Sequence, residues 1–157
     1  MAVLSPISAK AAAANIDALR RGLHDLGYDE TRDFDFALRF LGGNLSLAPE
    51  FVAEIVALNP DIIVASTAIP VLEARKETST IPIVMVAMSG DLTKLGLAQS
   101  LARPGGNVTG LMFTALTASG NLGLVGKRLA LLAELLPGLT KVGVLLNPDD
   151  EQDQPTS

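Results

Sequence analysis

The chain has 157 residues, 48% of them hydrophobic and 18% charged, which is the balance of a folded domain with a real core. A net charge of −5 offers no basic stripe for phosphate contacts, so a nucleic-acid partner is not expected. There is no cysteine, hence no disulfide or thiol chemistry, and no apolar run reaches transmembrane length.

Ala2–Leu4 reads as a short first strand, followed by the polar loop Ser5-Pro6-Ile7-Ser8. A helix follows, with Ile16, Leu19, Leu23 and Leu26 on one stripe and Gly27 as its stop. The acidic stretch 29–33 is a loop. Residues 34–41 alternate strictly through Phe34, Phe36, Leu38 and Phe40, which predicts a second strand with one wetter face, at a sheet edge. Gly42-Gly43-Asn44 is a turn, and Pro49 suits the first turn of a helix carrying Phe51, Val52, Ile55, Val56 and Leu58. Ile62–Ala65 is a continuous apolar run, a central third strand. Ser66-Thr67 leads into a helix that runs to about Glu77.

The most informative stretch is 80–111. Ile81–Val86 is apolar and β-branched, the pattern of a strand covered on both faces. Ser89-Gly90-Asp91 supplies turn chemistry and a helix cap, residues 92–102 are expected as a helix, Pro104-Gly105-Gly106 ends it, and 107–111 returns as a fifth strand. Five strands with intervening helices predict an α/β fold, a parallel sheet of order 2-1-3-4-5. Beyond it, 124–136 is expected as a leucine-rich helix and 142–146 as a sixth strand, with an acidic tail over 149–157 read as disordered.

In open parallel sheets, ligands sit outside the carboxyl ends of the strands. Three loops bring suitable groups there: Ser5 and Ser8, Ser66 and Thr67, and Ser89 and Asp91. Hydroxyls beside the unpaired N–H groups of a helix start suit a carboxylate. The same residues also serve as ordinary helix caps, and both readings stand at this point. Other candidates fall away. His24 lies off the apolar stripe and away from any strand's carboxyl end, so it is a surface residue and not a member of a Ser-His-Asp triad. Gly126-Lys127 lacks both the leading Gly and the Ser/Thr of a phosphate loop. The acids Asp29, Glu30, Asp33 and Asp35 lack calcium-loop spacing. Asn107-Val108-Thr109 matches a glycosylation sequon but falls at a buried strand entry. No catalytic constellation, metal site or cofactor motif results, and an enzyme is not expected.

The segments TSTIPIV (78–84), GD (90–91), LGL (95–97) and SLARPGGNVTG (100–110) resemble the ABC-transporter substrate-binding family with the type I periplasmic-binding fold. LRRGLHDLGY (19–28), PDIIVA (60–65) and GKRLALLAELLPGLTKVGVLLNP (126–148) extend the likeness over nearly the whole chain. One departure stands out: the family's Gly-Thr-Pro after the third strand reads Thr67-Ala68-Ile69 here. The resemblance implies a flavodoxin-like N-terminal lobe over 1–113, and a crossover with an orphan helix and strand of the second lobe over 114–148. It further implies a small, carboxylate-bearing, amino-acid-like solute, an ABC permease as partner and an extracytoplasmic location. Met1–Leu4 is too short for the export signal that normally precedes the first strand. With no second sheet to cover it, the 124–146 segment is expected to form a homodimer. Two rival readings are a flavodoxin-like cofactor protein and the effector lobe of a transcriptional regulator. The first lacks a glycine-rich phosphate loop and the second lacks DNA-binding helices.

Overall fold

The computed structural model describes residues 1–90, 92–100, 105–115 and 122–143. Backbone compactness divides the chain into Met1–Thr114 and Ala115–Ser157.

In the first unit, β1 (Ala2–Ser5), β2 (Ala37–Phe40), β3 (Ile63–Ser66), β4 (Ile83–Gly90) and β5 (Val108–Ala115) form one parallel sheet in the order β2-β1-β3-β4-β5. The expected order is therefore the observed one, with β2 and β5 at the edges. Helix α1 (Ala9–Asp25) lies on one face and α2 (Ala48–Ala57) and α3 (Ala68–Glu77) on the other, as the two apolar clusters show. Alternate residues of the strands divide between them. Ala2, Leu4, Ile63, Ala65, Ile83 and Met85 meet α2 and α3 through Val52, Ile55, Val71 and Ala74. Val3, Leu38, Phe40 and Val64 meet α1 through Ala12 and Ile16. Burial on both faces explains why β1 and β3 read as continuous apolar runs.

Several boundaries differ from expectation. β2 covers 37–40 rather than 34–41, because its partner β1 offers only four residues, Ala2↔Ala37 through Ser5↔Phe40. Phe34 and Phe36 instead pack edge to face, centroids 5.1 Å apart, with the Arg20 guanidinium 5.2 Å from the Phe36 ring centre. The turn expected at 89–90 is not formed: β4 continues through Ser89 to Gly90, because the fully buried Met88 carries the apolar run past Val86. The helix expected from 92 is replaced by turns. Leu97 and Ala98 both donate to the Leu92 carbonyl, at 2.9 and 3.2 Å, instead of forming an i−4 ladder. Gly96 at φ 68° closes the turn, and Leu92 and Leu97 are both buried by it. Residues 101–104, which hold the end of that expected helix and the first residue of its stop, lie outside the described residues, as does Asp91. β5 runs four residues further than expected, through Ala115.

Asn107 ties β5 to the segment entering β4. Its Nδ2 donates to the Thr78 carbonyl at 3.1 Å and the Ile81 carbonyl at 2.8 Å, and Thr78 Oγ1 accepts from the amides of Thr80 and Ile81. The sequon nitrogen is thus committed to the fold. Asn107→Ala removes both bonds and is expected to cost about 1–3 kcal/mol, measured by urea denaturation; wild-type stability in that variant overturns the assignment.

In the second unit α4 spans Leu122–Leu135. Leu131, Leu132, Leu135 and Leu136 are exposed. Of the expected sixth strand, Val142 and Gly143 have no strand structure, and 144–146 lie outside the described residues with the tail 149–157.

Candidate functional site

The strand register brings the hydroxyl candidates to one level. Ser5 pairs with Phe40, and Ser66 pairs with Val86. Leu4 pairs with Ala65, which puts Ser5 beside Ser66 one step further on. The last register step of the sheet is therefore a row, Phe40–Ser5–Ser66–Val86, with two hydroxyl residues between two apolar ones. All four share the strand face of Val3, Leu38 and Val64, because side chains alternate with period two. Ser5 is buried and Ser66 half-buried. The Ser5 and Pro6 carbonyls accept from Leu41 and Gly43 at 2.9 and 2.8 Å, which holds the β1 and β2 exits together.

Ser8 is the N-cap of α1, its Oγ accepting from the Ala11 amide at 3.3 Å, so this hydroxyl is engaged in helix capping. Thr67 occupies the same position before α3 and behaves differently. Its φ of 67° and ψ of 171° lie in a region that only glycine adopts freely, and its side chain makes no capping bond to α3. One residue beyond Val86 on the adjacent strand, Ala87 also has a positive φ, 58°. Two neighbouring strands therefore leave the row through left-handed, non-glycine residues. Nothing in composition marks them, since neither is glycine, and sequence reasoning missed the strain at both. For Thr67 the only signal is the family pattern, which places Gly there. Thr67→Gly is accordingly expected to stabilise the fold by about 1–3 kcal/mol in thermal or urea unfolding; a destabilised variant contradicts the strain. Ser89 is at the end of β4, two residues beyond Ala87, and Asp91 lies outside the described residues.

A cleft of about 260 Å³ opens at the other end of α1, lined by Arg20, His24, Tyr28, Asp29, Thr31 and Phe34 among others. Its charges serve the loop. Arg20 Nε donates to Glu30 at 2.7 Å, and Arg32 donates to Asp33 at 2.7 Å. The hydroxyl and amide of Thr31 hold the Asp29 carboxyl below its usual pKa, and the Arg32 guanidinium does the same for Asp33. His24 is exposed and 3.9 Å from the Asp25 carboxylate. Among the described residues no group of three His, Cys, Asp or Glu side chains is placed to hold a metal ion. A second, smaller cavity of about 140 Å³ lies between the 92–98 turns and β5, lined chiefly by Met85, Leu92, Leu97, Val108 and Met112.

The fold is similar to a solved structure of a conserved domain protein from Vibrio cholerae, with TM-score 0.76 and 31% identity, covering 94% of this chain and 47% of that one. It also resembles a Streptococcus pneumoniae ABC domain solved with L-Trp, with TM-score 0.62 and 24% identity, covering 71% of this chain and 37% of that one; that likeness bears on fold alone. A curated tyrosine-binding protein of Clostridioides difficile is 30% identical over 144 residues, 87% of this chain and 38% of the relative. The chain thus spans less than half the length of these relatives. The family model for ABC transporter substrate binding proteins matches residues 1–156, and the chain belongs to that family.

Proposed function

We propose that the carboxyl edge of this sheet binds the carboxylate end of an amino-acid-like solute, through Ser5, Ser66 and Thr67. The observation that carries the reading is Thr67. It stands at the start of α3 in a strained conformation, with its hydroxyl making no cap to the helix. The first-turn amides of α3 therefore receive no side-chain cap from Thr67, beside a row that already holds two hydroxyls. The tyrosine named for the Clostridioides difficile relative supports an amino acid as the solute class. The chain acts outside the cytoplasm, passes its solute to an ABC permease and performs binding rather than catalysis. In that role affinity comes from two lobes closing on the ligand. Ser89, at the end of β4, remains a candidate, as does Asp91 by its place in the sequence, and Ser8 is assigned to capping. A homodimer through 124–146 is the proposed fate of the exposed leucines of α4.

Ser66→Ala combined with Thr67→Ala tests the site. The double variant is expected to lose detectable binding of L-amino acids by calorimetry or ligand-observed NMR while remaining folded. Unchanged binding in the double variant refutes the assignment.

A further inference from the structure

The cavity of about 140 Å³ between the 92–98 turns and β5 shares no residue with the Ser5–Ser66–Thr67 edge. Its inner wall is Met85, Leu92, Leu97 and Val108, none more than 5% exposed, with Met112 beside them. Ser100 and Thr109 are also in the lining and are exposed, so the wall passes from buried apolar residues to hydroxyl residues at the surface. Among the described residues, no charged side chain lines it. Protein interiors are ordinarily close-packed, with few voids larger than a water molecule. Two local features keep this one open. Gly110 is in the wall and brings no side chain, and its close approach to the Met85 backbone forbids one. The turn carrying Leu92 and Leu97 is closed by two amides on the Leu92 carbonyl, which sets how far both side chains reach. An apolar cavity of about 150 Å³ takes up benzene or xenon, because a guest supplies contacts that the walls otherwise lack.

We infer that this cavity is a binding site for a small uncharged molecule with an apolar body of about six carbons, held beneath the 92–98 turns. Met85 and Met112 suit such a guest, since unbranched, polarisable side chains adapt to its shape. A charged guest is rejected, because its charge would lose water with no opposite charge in the wall to replace it. An amino acid, charged at both ends, is therefore not the ligand here, and the site is independent of the carboxylate edge. The guest fills the space behind Leu92 and Leu97, and so steadies the segment by which the chain leaves β4.

The four methionines of the chain make the test direct. Met85 and Met112 line the cavity, whereas Met88 is fully buried in the core outside the lining and Met1 packs in the α1 cluster on the other face of the sheet. NMR of the methionine methyl groups in the full chain follows the addition of millimolar benzene, cyclohexanol or benzoate. Benzene and cyclohexanol are expected to shift Met85 and Met112 saturably and to leave Met1 and Met88 in place, with benzoate about 10-fold weaker or more. Ala98→Leu fills the cavity from its half-buried rim and is expected to abolish the shifts while the protein stays folded. Ala98→Val, a smaller filling, is expected to weaken binding about 10-fold and serves if the leucine variant does not fold. No saturable shift at Met85 and Met112, equal shifts at all four methionines, or benzoate binding as tightly as benzene overturns the inference. Unchanged binding in a folded Ala98 variant overturns it as well.

Discussion

Gly110→Ala is expected to be the most damaging single-methyl change in the first unit. Gly110 has φ 139°, and a Cβ built there would meet the Met85 carbonyl oxygen at 2.0 Å and the Met85 nitrogen at 2.7 Å. Both atoms are backbone, so no side chain can swing aside. Relief requires β5 to move away from β4, which breaks the contact that seats the edge strand. Overpacking a rigid site costs about 1–3 kcal/mol, and the forced backbone adds about 1–3 more. A domain of this size has roughly 5–15 kcal/mol in all. Gly110→Ala should therefore leave the chain partly unfolded or poorly soluble. Gly106→Ala serves as the control, since nothing lies within 4 Å of its added Cβ. Circular dichroism melts of the two variants decide the matter, and equal melting temperatures contradict the close approach.

Leu4→Ala is expected to destabilise by about 2–5 kcal/mol in urea unfolding. Leu4 is fully buried in β1, within the cluster that includes Leu41, Val52, Ile55, Ala65 and Ile83. Its neighbours come from both flanking strands and from the helix layer. A cavity there is enclosed by elements that are themselves pinned by the ladder, and collapse to fill it is hindered. Leu58→Ala, at a side chain 57% exposed, should stay within about 0.5 kcal/mol of wild type. Equal losses in both variants would mean that the cluster does not support the fold as described.

The strand order was legible because it rests on patterns that packing enforces. Alternation through Phe34, Phe36, Leu38 and Phe40 marked an edge strand, and continuous apolar runs marked Ile62–Ala65 and Ile81–Val86 as interior. The 92–98 segment was not legible, because Leu92, Leu95 and Leu97 carry helical residue preferences while the buried pair Leu92 and Leu97 is satisfied by one tight turn. Tertiary burial overrode local propensity there. Ser5, Ser66 and Thr67 were singled out as candidates from their place after apolar runs. The conformations of Thr67 and Ala87 were not legible, because left-handed backbone is ordinarily announced by Gly or Asn and these residues are neither.

The place of β1 in the sheet also bears on synthesis. β1 needs a neighbour on each side, and the partner of Ala2 on β3 is Ile63, about sixty residues later. At roughly 5–20 residues per second, that pairing is out of reach for about 3–12 seconds after Ala2 is made. β2 is made first, with Ala37 as the partner of Ala2, so Val3 and Leu4 wait longest for the β3 ladder, and whatever shields the nascent chain acts on that open side of the strand.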